Sequence, residues 1–188
     1  MPIAGIVLTV LGGLLFVLIL WFVLAYNGLV SARNQAKNAW SQIDVQLKRR
    51  HDLIPNLVDT AKGYVAHERG TLENVIKARN MAMQARGAAE AGKAEQSLTN
   101  ALGQFFVVVE QYPNLKANEN FLKLQEELAS TENRIGFARQ YYNDQATAYK
   151  TSLQSVPTNI VAGLFGFAPL ELFELTVAGE REVPKVQF

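Results

Sequence analysis

The densest group of polar side chains in this sequence lies at residues 48–52, which read Lys-Arg-Arg-His-Asp. A histidine beside an aspartate could act as a general base. On a helix, however, adjacent side chains point about 100° apart, and residues three or four positions apart are neighbours. The spacing therefore favours an ion pair between Lys48 and Asp52 and leaves Arg49 and Arg50 on other faces, where we expect structural roles.

A proline follows this group within the same helical pattern. Pro55 has no backbone donor, so we expect the helix to kink or restart near Asp52, whose side chain would cap the new turn. An arginine near such a break could satisfy the freed carbonyls. Alternatively, it could bind a carboxylate from the helix that carries Glu127 and Glu132.

The sequence predicts no metal, no cofactor and no catalytic residues. His51 and His67 are the two histidines, and their spacing does not place two ligands on one helical turn. The absence of cysteine excludes disulfides, thiolate zinc sites and cysteine nucleophiles. Glycine-rich phosphate loops and serine nucleophile elbows are also missing. An enzyme would have to build its site from Arg49, Asp52 or His67.

The first 32 residues carry no charged side chain, although the whole chain has 18 Lys and Arg against 17 Asp and Glu. The net charge of +1 removes the electrostatic argument for nucleic acid as a partner. Residues 3–25 are continuously apolar and would form a helix of about 35 Å, enough to cross a bilayer. Trp21, Phe22 and Tyr26 mark its exit. The competing interpretation is a cleaved signal peptide, for which a basic n-region is missing.

Small residues recur on one face of this predicted anchor at Gly5, Thr9 and Gly13, where another helix could approach closely. We expect a homo-oligomer, because anchoring in one plane raises the effective concentration of subunits. Basic residues follow the anchor at Arg33 and Lys37 and none precede it, which favours a single-pass protein of the cytoplasmic membrane with a cytosolic bundle.

The rest of the chain shows helical periodicity and predicts an all-α protein. Apolar residues recur every three or four positions from Trp40 to Tyr64 and again within residues 68–86, whereas residues 87–92 resemble a loop. A further helix follows at residues 98–109, and Pro113 is expected to end it. Between Phe121 and Tyr149 the spacing is typical of a coiled-coil seam, with Asn118 as a candidate N-cap.

Long helices need long partners, so the sequence predicts an N-terminal transmembrane helix followed by an elongated antiparallel three- to four-helix bundle and an irregular C-terminal segment. The predicted domains are the anchor (1–26), the bundle (27–156) and a hydrophobic segment with an extended tail (157–188). The last of these is rich in phenylalanine, with Phe165, Phe167 and Phe173. It either plugs the end of the bundle or presents its rings to a membrane or a neighbouring subunit.

Five stretches of the chain form a distinctive set: Tyr26-Asn27 at the membrane exit, AWSQIDVQLKRRHDLIPNLVDTAKGYVAHE at residues 39–68, KARN at 77–80, YPNLKANENFLKLQEELASTENRIGFARQYYND at 112–144 and VPTNIVAGLFGF at 156–167. Together they resemble the LemA family of bacterial membrane-anchored proteins. The resemblance implies a helical bundle behind one membrane anchor and brings no accepted catalytic residues. Many family members carry a lipoprotein cysteine before a Tyr-Asn pair, but Ala25 occupies that position here, so lipid anchoring is not inherited. Those members display the bundle outside the cytoplasmic membrane, so an extracytoplasmic bundle stays an alternative for this chain.

We therefore interpret the sequence as a non-catalytic membrane-anchored scaffold or adaptor that self-assembles. The alternative is a membrane-remodelling or lipid-binding protein that acts through the Phe-rich segment and the basic juxtamembrane stretch. Genes of the family often lie beside genes for a membrane metalloprotease or a TPM-domain protein, so the resemblance also implies a membrane protease or another membrane protein as a partner.

Overall fold

The computed structural model of the chain describes residues 2–65 and 67–174. Six helices follow one another in these ranges: α1 (Pro2–Lys62), α2 (Arg69–Gln84), α3 (Gly87–Val109), α4 (Pro113–Lys116), α5 (Glu119–Gln154) and α6 (Thr158–Leu164). No strand occurs in them, and the predicted all-α fold class is confirmed. The predicted tail at residues 183–188 lies outside the described residues.

Helix α1 runs through Pro55 without a restart, so the restart predicted near Asp52 is wrong. Pro55 lacks the N–H that would bond to the carbonyl oxygen of His51, four residues earlier. The Arg79 Nε donates to this same oxygen at 2.6 Å, so the carbonyl is satisfied from another helix. Burial of Ile54 and Leu57 on either side of the proline holds the two halves in one helix.

The predicted loop at residues 87–92 is also wrong, because α3 begins at Gly87. Its glycines serve packing and the turn from α2. Gly87 has a φ of +77°, which a side chain rarely tolerates. A Cβ at Gly92 would collide with the backbone carbonyl of Glu174. The Glu90 carboxylate accepts a hydrogen bond from the Arg86 N–H at 3.0 Å and closes the start of the helix.

Helix α5 begins as the sequence predicts. The Asn118 Oδ1 accepts a hydrogen bond from the Phe121 N–H at 3.0 Å, which is the geometry of an N-cap. Pro113 opens the short helix α4, and α3 has already ended at Val109. Proline suits a first helical turn because the N–H it lacks has no partner there.

The described residues form two compact units, each of which takes part of α1 and part of α5. The bundle unit comprises residues 40–65, 67–142 and 171–174, and the anchor unit comprises residues 2–39 and 143–170. In the bundle unit α1 and α5 are antiparallel, because Tyr64 contacts Asn118, Arg50 contacts Glu132 and Trp40 contacts Tyr142.

The core of the bundle unit is assembled from five helices, each of which contributes an apolar stripe. Its buried side chains include Ile54, Leu57 and Val58 of α1, Leu72 and Val75 of α2, Leu98, Leu102 and Phe105 of α3, Leu115 of α4, and Phe121 and Leu128 of α5. Burial of this apolar surface supplies most of the free energy that holds the helices together.

The anchor unit has a smaller core at the point where the apolar part of α1 ends. Leu29, Val161 and Ala162 are buried there. Half-buried residues pack around them, among them Trp21, Phe22, Tyr26, Leu153 and Phe167. Helix α6 thus packs against the end of the apolar part of α1.

Candidate functional site

A group of charged side chains lies inside the bundle unit. Only 4% of Arg50 and 1% of Glu95 is exposed, and His51 is also buried. The Arg50 guanidinium donates to Glu95 Oε2 at 3.0 Å and to the Thr99 hydroxyl at 2.8 Å, and it lies 3.2 Å from Glu132. His51 Nε2 lies 2.6 Å from Glu95 Oε1. We call these five residues the Arg50–Glu95 cluster.

The helices place these groups inside because each follows an apolar stripe. Arg50 lies three residues after Leu47 and four before Ile54, so it occupies the buried face of α1. Glu95 lies three residues before Leu98 on the buried face of α3. A buried charge is tolerated only when it is paired and hydrogen-bonded, and here both carboxylate oxygens of Glu95 have partners.

This arrangement is suited to fixing the register of α1, α3 and α5. Arg50 binds carboxylates from two other helices at once, and the Arg79 hydrogen bond to the His51 carbonyl ties α2 to the same turn. Because both Glu95 oxygens are engaged inside the core, this carboxylate is not placed to take a proton from an external molecule. A sliding of α1 against α3 would leave a buried charge unpaired, at a cost of about 3 to 5 kcal/mol.

A second feature of the bundle unit is an exposed apolar groove between α1 and α5, with a volume of about 620 Å³. Val45 of α1 and Phe137 and Tyr141 of α5 line it, and residue Phe137 is 76% exposed. Polar residues at its rim include Gln42 and Arg134. We call this surface the Phe137 groove.

A third feature is an aromatic cluster in the anchor unit. The Phe165 ring centroid lies 5.9 Å from that of Phe22 and 4.7 Å from that of Tyr26. Phe167 packs edge-on against Tyr26 at 5.7 Å. Aromatic pairs at these distances are favourable beyond the apolar area that they bury.

The structure separates the residues that the sequence singles out. Arg49 lies 3.8 Å from Glu127 in an exposed ion pair. In the described ranges, Asp52 is exposed and forms no ion pair with Lys48. Phe173 is buried, with its ring 5.9 Å from Trp40, so it does not share the surface of Phe165.

The small-residue face of the anchor has no protein neighbour among the described residues. A Cβ at Gly5 or Gly13 would contact nothing within 4 Å. The Thr9 hydroxyl donates to its own helix, at 2.8 Å from the Ile6 carbonyl oxygen. No cluster of three or more histidine, aspartate or glutamate side chains able to hold a metal occurs in the described parts of the chain.

Sequence reasoning missed Glu95, Thr99 and Arg79. A signal for Glu95 was present, because a carboxylate in register with Leu98 on an apolar stripe needs a buried cation. Arg50 carries the matching signal on α1. Nothing in the sequence pattern pairs Arg79 with the carbonyl that Pro55 leaves open.

Tyrosines beside these features are also perturbed. Burial, and to a lesser degree the charge of Glu171, raises the pKa of Tyr142, whose hydroxyl donates to the Glu171 carbonyl oxygen at 2.6 Å. Burial also raises the pKa of Tyr149, although the charge of Arg33 acts in the opposite direction. The Tyr149 hydroxyl is buried without a hydrogen-bond partner among the described residues.

One helix of the described chain is long and apolar enough to cross a membrane. Between Ile3 and Lys62, helix α1 contains an 18-residue window of mean hydropathy 2.9, none of which is buried by the protein. Its exposed side chains include Leu8, Leu14, Phe16 and Leu18. A surface of this kind is stable in lipid rather than in water.

Comparisons with known proteins agree with the residues quoted above. The model of the LemA family matches residues 39–188. Protein LemA of Metamycoplasma hominis is 28% identical over 164 residues, which cover 85% of this chain and 71% of the relative. Magnetosome protein MamQ 1 of Paramagnetospirillum magneticum is 25% identical over an alignment 184 positions long, and the aligned part is 84% of this chain and 68% of the relative. Magnetosome protein MamQ of Magnetospirillum gryphiswaldense is 24% identical with the same coverage. The chain therefore belongs to the LemA family, as a membrane-associated helical protein.

Proposed function

We propose that this chain is a non-catalytic, membrane-anchored scaffold or adaptor that assembles with copies of itself. The observation that carries the proposal is the Phe137 groove, an exposed apolar surface on two rigid helices whose register the Arg50–Glu95 cluster fixes. Scattered apolar residues on a surface are ordinary, but a protruding ring beside an apolar hollow is typical of an interaction site.

The groove favours a second copy of the chain as its occupant. A symmetric interface uses the same patch on both subunits, so it needs a protrusion and a matching hollow on one face. Phe137 supplies the protrusion, and Val45 and Tyr141 supply walls of the hollow. Arg134 and Gln42 add polar groups to the groove. Protein interfaces commonly surround an apolar centre with polar groups of this kind.

Anchoring in a membrane allows a small contact area to hold subunits together. A stable interface in solution buries about 800 Å² on each partner, more than a few side chains of this groove provide. Anchors that share one bilayer raise the effective concentration of the bundles, so that a weak contact yields a discrete assembly. We therefore place assembly in the membrane and expect it to weaken on dilution.

The test is subunit counting of the full-length protein in bilayers, by single-molecule photobleaching at native density and after dilution with lipid. We expect discrete species larger than a monomer. Phe137→Asp should reduce them, because it puts a charge on the contact. Leu122→Asp is the matched control, since it changes an exposed apolar residue of the same helix that does not line the groove.

Monomers alone at native density would contradict self-assembly. Equal losses for Phe137→Asp and Leu122→Asp would contradict the groove as its site. The double variant Gly5→Leu, Gly13→Leu puts large side chains on the small-residue face of the anchor. The loss of oligomers in this variant measures what contacts between anchors contribute to the assembly.

For sidedness we propose that the bundle unit faces the cytosol, because Arg33 and Lys37 follow the apolar helix and no basic residue precedes it. Protease added to intact spheroplasts should then leave a C-terminal tag uncut. Rapid digestion of the tag in intact spheroplasts would place the bundle on the other side.

The second candidate function is membrane remodelling or lipid binding. The exposed apolar residues of α6, next to the end of the anchor, favour it. Burial of Phe173 removes one of the three rings that the sequence offers for this role. Tubulation or leakage of vesicles on reconstitution of the full chain would support remodelling, and intact vesicles of unchanged shape would contradict it.

A further inference from the structure

Helix α6 has one face that packs on the protein and one that does not. Val161 and Ala162 are buried in the small core with Leu29. Ile160 is 59% exposed, Leu164 is 69% exposed, and Phe165, which follows the helix, is 52% exposed. The outward face therefore exposes two large apolar side chains, with the polar Asn159 exposed at its edge, which is unusual for a short helix in water.

The surroundings of this face also lack charge. Residues 151–170 contain no Asp, Glu, Lys or Arg, and neither do residues 1–32. The charged residues of the anchor unit, such as Arg33 and Lys150, lie outside both stretches. A surface designed for water carries charges between its apolar residues, whereas this one does not.

The contacts of Phe165 show which part of the anchor helix lies beside the outward face of α6. Its ring contacts Phe22 and Tyr26. From residue 3 to residue 22 a helix rises about 29 Å, close to the thickness of a hydrocarbon core. Phe22 and Tyr26 are therefore at the boundary between lipid tails and headgroups, where aromatic rings are favoured, and Phe165 lies beside them.

We propose that the outward face of α6, formed by Ile160, Leu164 and Phe165, lies in the interfacial region of the same bilayer that holds the anchor. The lipid boundary is its occupant because the face continues the exposed apolar surface of α1 without an intervening charge. The bilayer thus contacts the chain at two elements, a spanning helix and a helix that lies in the interface. This inference rests on the anchoring of the chain and is independent of self-assembly.

The absence of charge also predicts how the depth of the α6 face in the bilayer depends on lipid charge. A basic amphipathic helix binds through anionic headgroups, and its depth depends on lipid charge and salt. The α6 face has only apolar groups to offer, so its depth should be the same in neutral and anionic bilayers.

The experiment uses the natural absence of cysteine. Leu164→Cys is introduced into the full chain, labelled with a nitroxide and reconstituted in phosphatidylcholine bilayers. Collision rates with oxygen, which concentrates in lipid, and with a nickel chelate, which stays in water, report the depth. Val107→Cys, an exposed apolar position of the bundle unit outside the Phe137 groove, is the matched control.

We expect oxygen collisions to exceed nickel collisions several-fold at residue 164 and the reverse at residue 107. The ratio at residue 164 should not change when phosphatidylglycerol is added. Nickel collisions at residue 164 as frequent as at residue 107 would show a surface in water and overturn the proposal. Low collision rates with both reagents would show that other protein residues cover residue 164, and this result would also overturn the proposal. A ratio that rises only with phosphatidylglycerol would show electrostatic binding in place of apolar seating, with the same consequence.

Discussion

The bundle unit and the anchor unit use the same two long helices, but they bury different chemistry. In the bundle unit, α1 and α5 enclose Arg50, His51, Glu95 and Thr131 among apolar side chains. Among the described residues of the anchor unit no charged side chain is buried, and Leu29, Val161 and Ala162 form an apolar cluster with aromatic neighbours.

The difference follows from what surrounds each unit. A buried ion pair pays a large desolvation cost and gives little net stability, but it penalises every register in which a charge is left unpaired. Such pairs are useful where several helices could slide along uniform apolar stripes. Beside a bilayer the same charges would be harmful, because lipid offers them no alternative partner.

The largest effect that this comparison predicts comes from removing the central carboxylate. Glu95→Ala leaves Arg50 and His51 buried without it, and we expect a loss of about 3 to 5 kcal/mol in the free energy of unfolding. Chemical unfolding of the full chain in mild detergent, followed by circular dichroism, measures it. Glu127→Gln, in the exposed pair with Arg49, is the control and should cost about 0 to 1 kcal/mol. Equal costs would mean that the buried cluster does not hold the register.

The next effect concerns the carbonyl of His51. Arg79→Ala removes the donor that replaces the missing N–H of Pro55, and leaving this carbonyl unpaired should cost about 1 to 3 kcal/mol. Pro55→Ala restores the ordinary helical donor. We therefore expect Arg79→Ala to cost less in the Pro55→Ala background, by about 1 kcal/mol, in a double-mutant cycle. Strictly additive effects would contradict the compensation.

Much of the fold could be predicted from the sequence, because apolar spacing decides it. The stripes of α2 and α5 and the cap at Asn118 were readable, since each depends on residues a few positions apart. The two errors lie where distant residues decide. Arg79 satisfies the carbonyl that Pro55 leaves open inside its helix, and Gly92 leaves room in its helix for the backbone of Glu174.

The candidate site was less predictable for the same reason. The sequence drew attention to residues 48–52, and its alternative of an arginine bound to the helix of Glu127 and Glu132 is confirmed by the Arg49–Glu127 and Arg50–Glu132 pairs. The predicted Lys48–Asp52 pair is wrong, and the Arg50–Glu95 pair was not predicted. The register of Arg50 and Glu95 on apolar stripes predicts that both are buried, not that they meet. Phe165 and Phe173 likewise read as one segment, yet only the first is exposed.

Substitutions of two tyrosines of α5, one in each unit, should change the free energy of unfolding by a smaller amount. Tyr142, in the bundle unit, donates to the Glu171 carbonyl oxygen, so Tyr142→Phe should cost about 1 kcal/mol. Tyr149, in the anchor unit, buries its hydroxyl without a partner, so Tyr149→Phe should be neutral or stabilise by up to about 1 kcal/mol. The same unfolding measurement applies to both variants. A clear loss on Tyr149→Phe would show that its hydroxyl has a partner.

The smallest effect is a dependence of stability on alkaline pH. Burial raises the pKa of both Tyr142 and Tyr149 above 10.0, the value of the unfolded chain. The folded state then holds these protons more tightly, so the stabilisation is fully present below about pH 10 and is lost as the pH rises through the folded pKa values. Unfolding of the full chain between about pH 9 and pH 12 should show the free energy falling in this window. The fall should be shallower in the Tyr142→Phe and Tyr149→Phe variants, because phenylalanine cannot ionise. An unchanged slope in both variants would mean that other groups cause the loss, and that the two hydroxyls ionise in the folded protein as readily as in the unfolded chain.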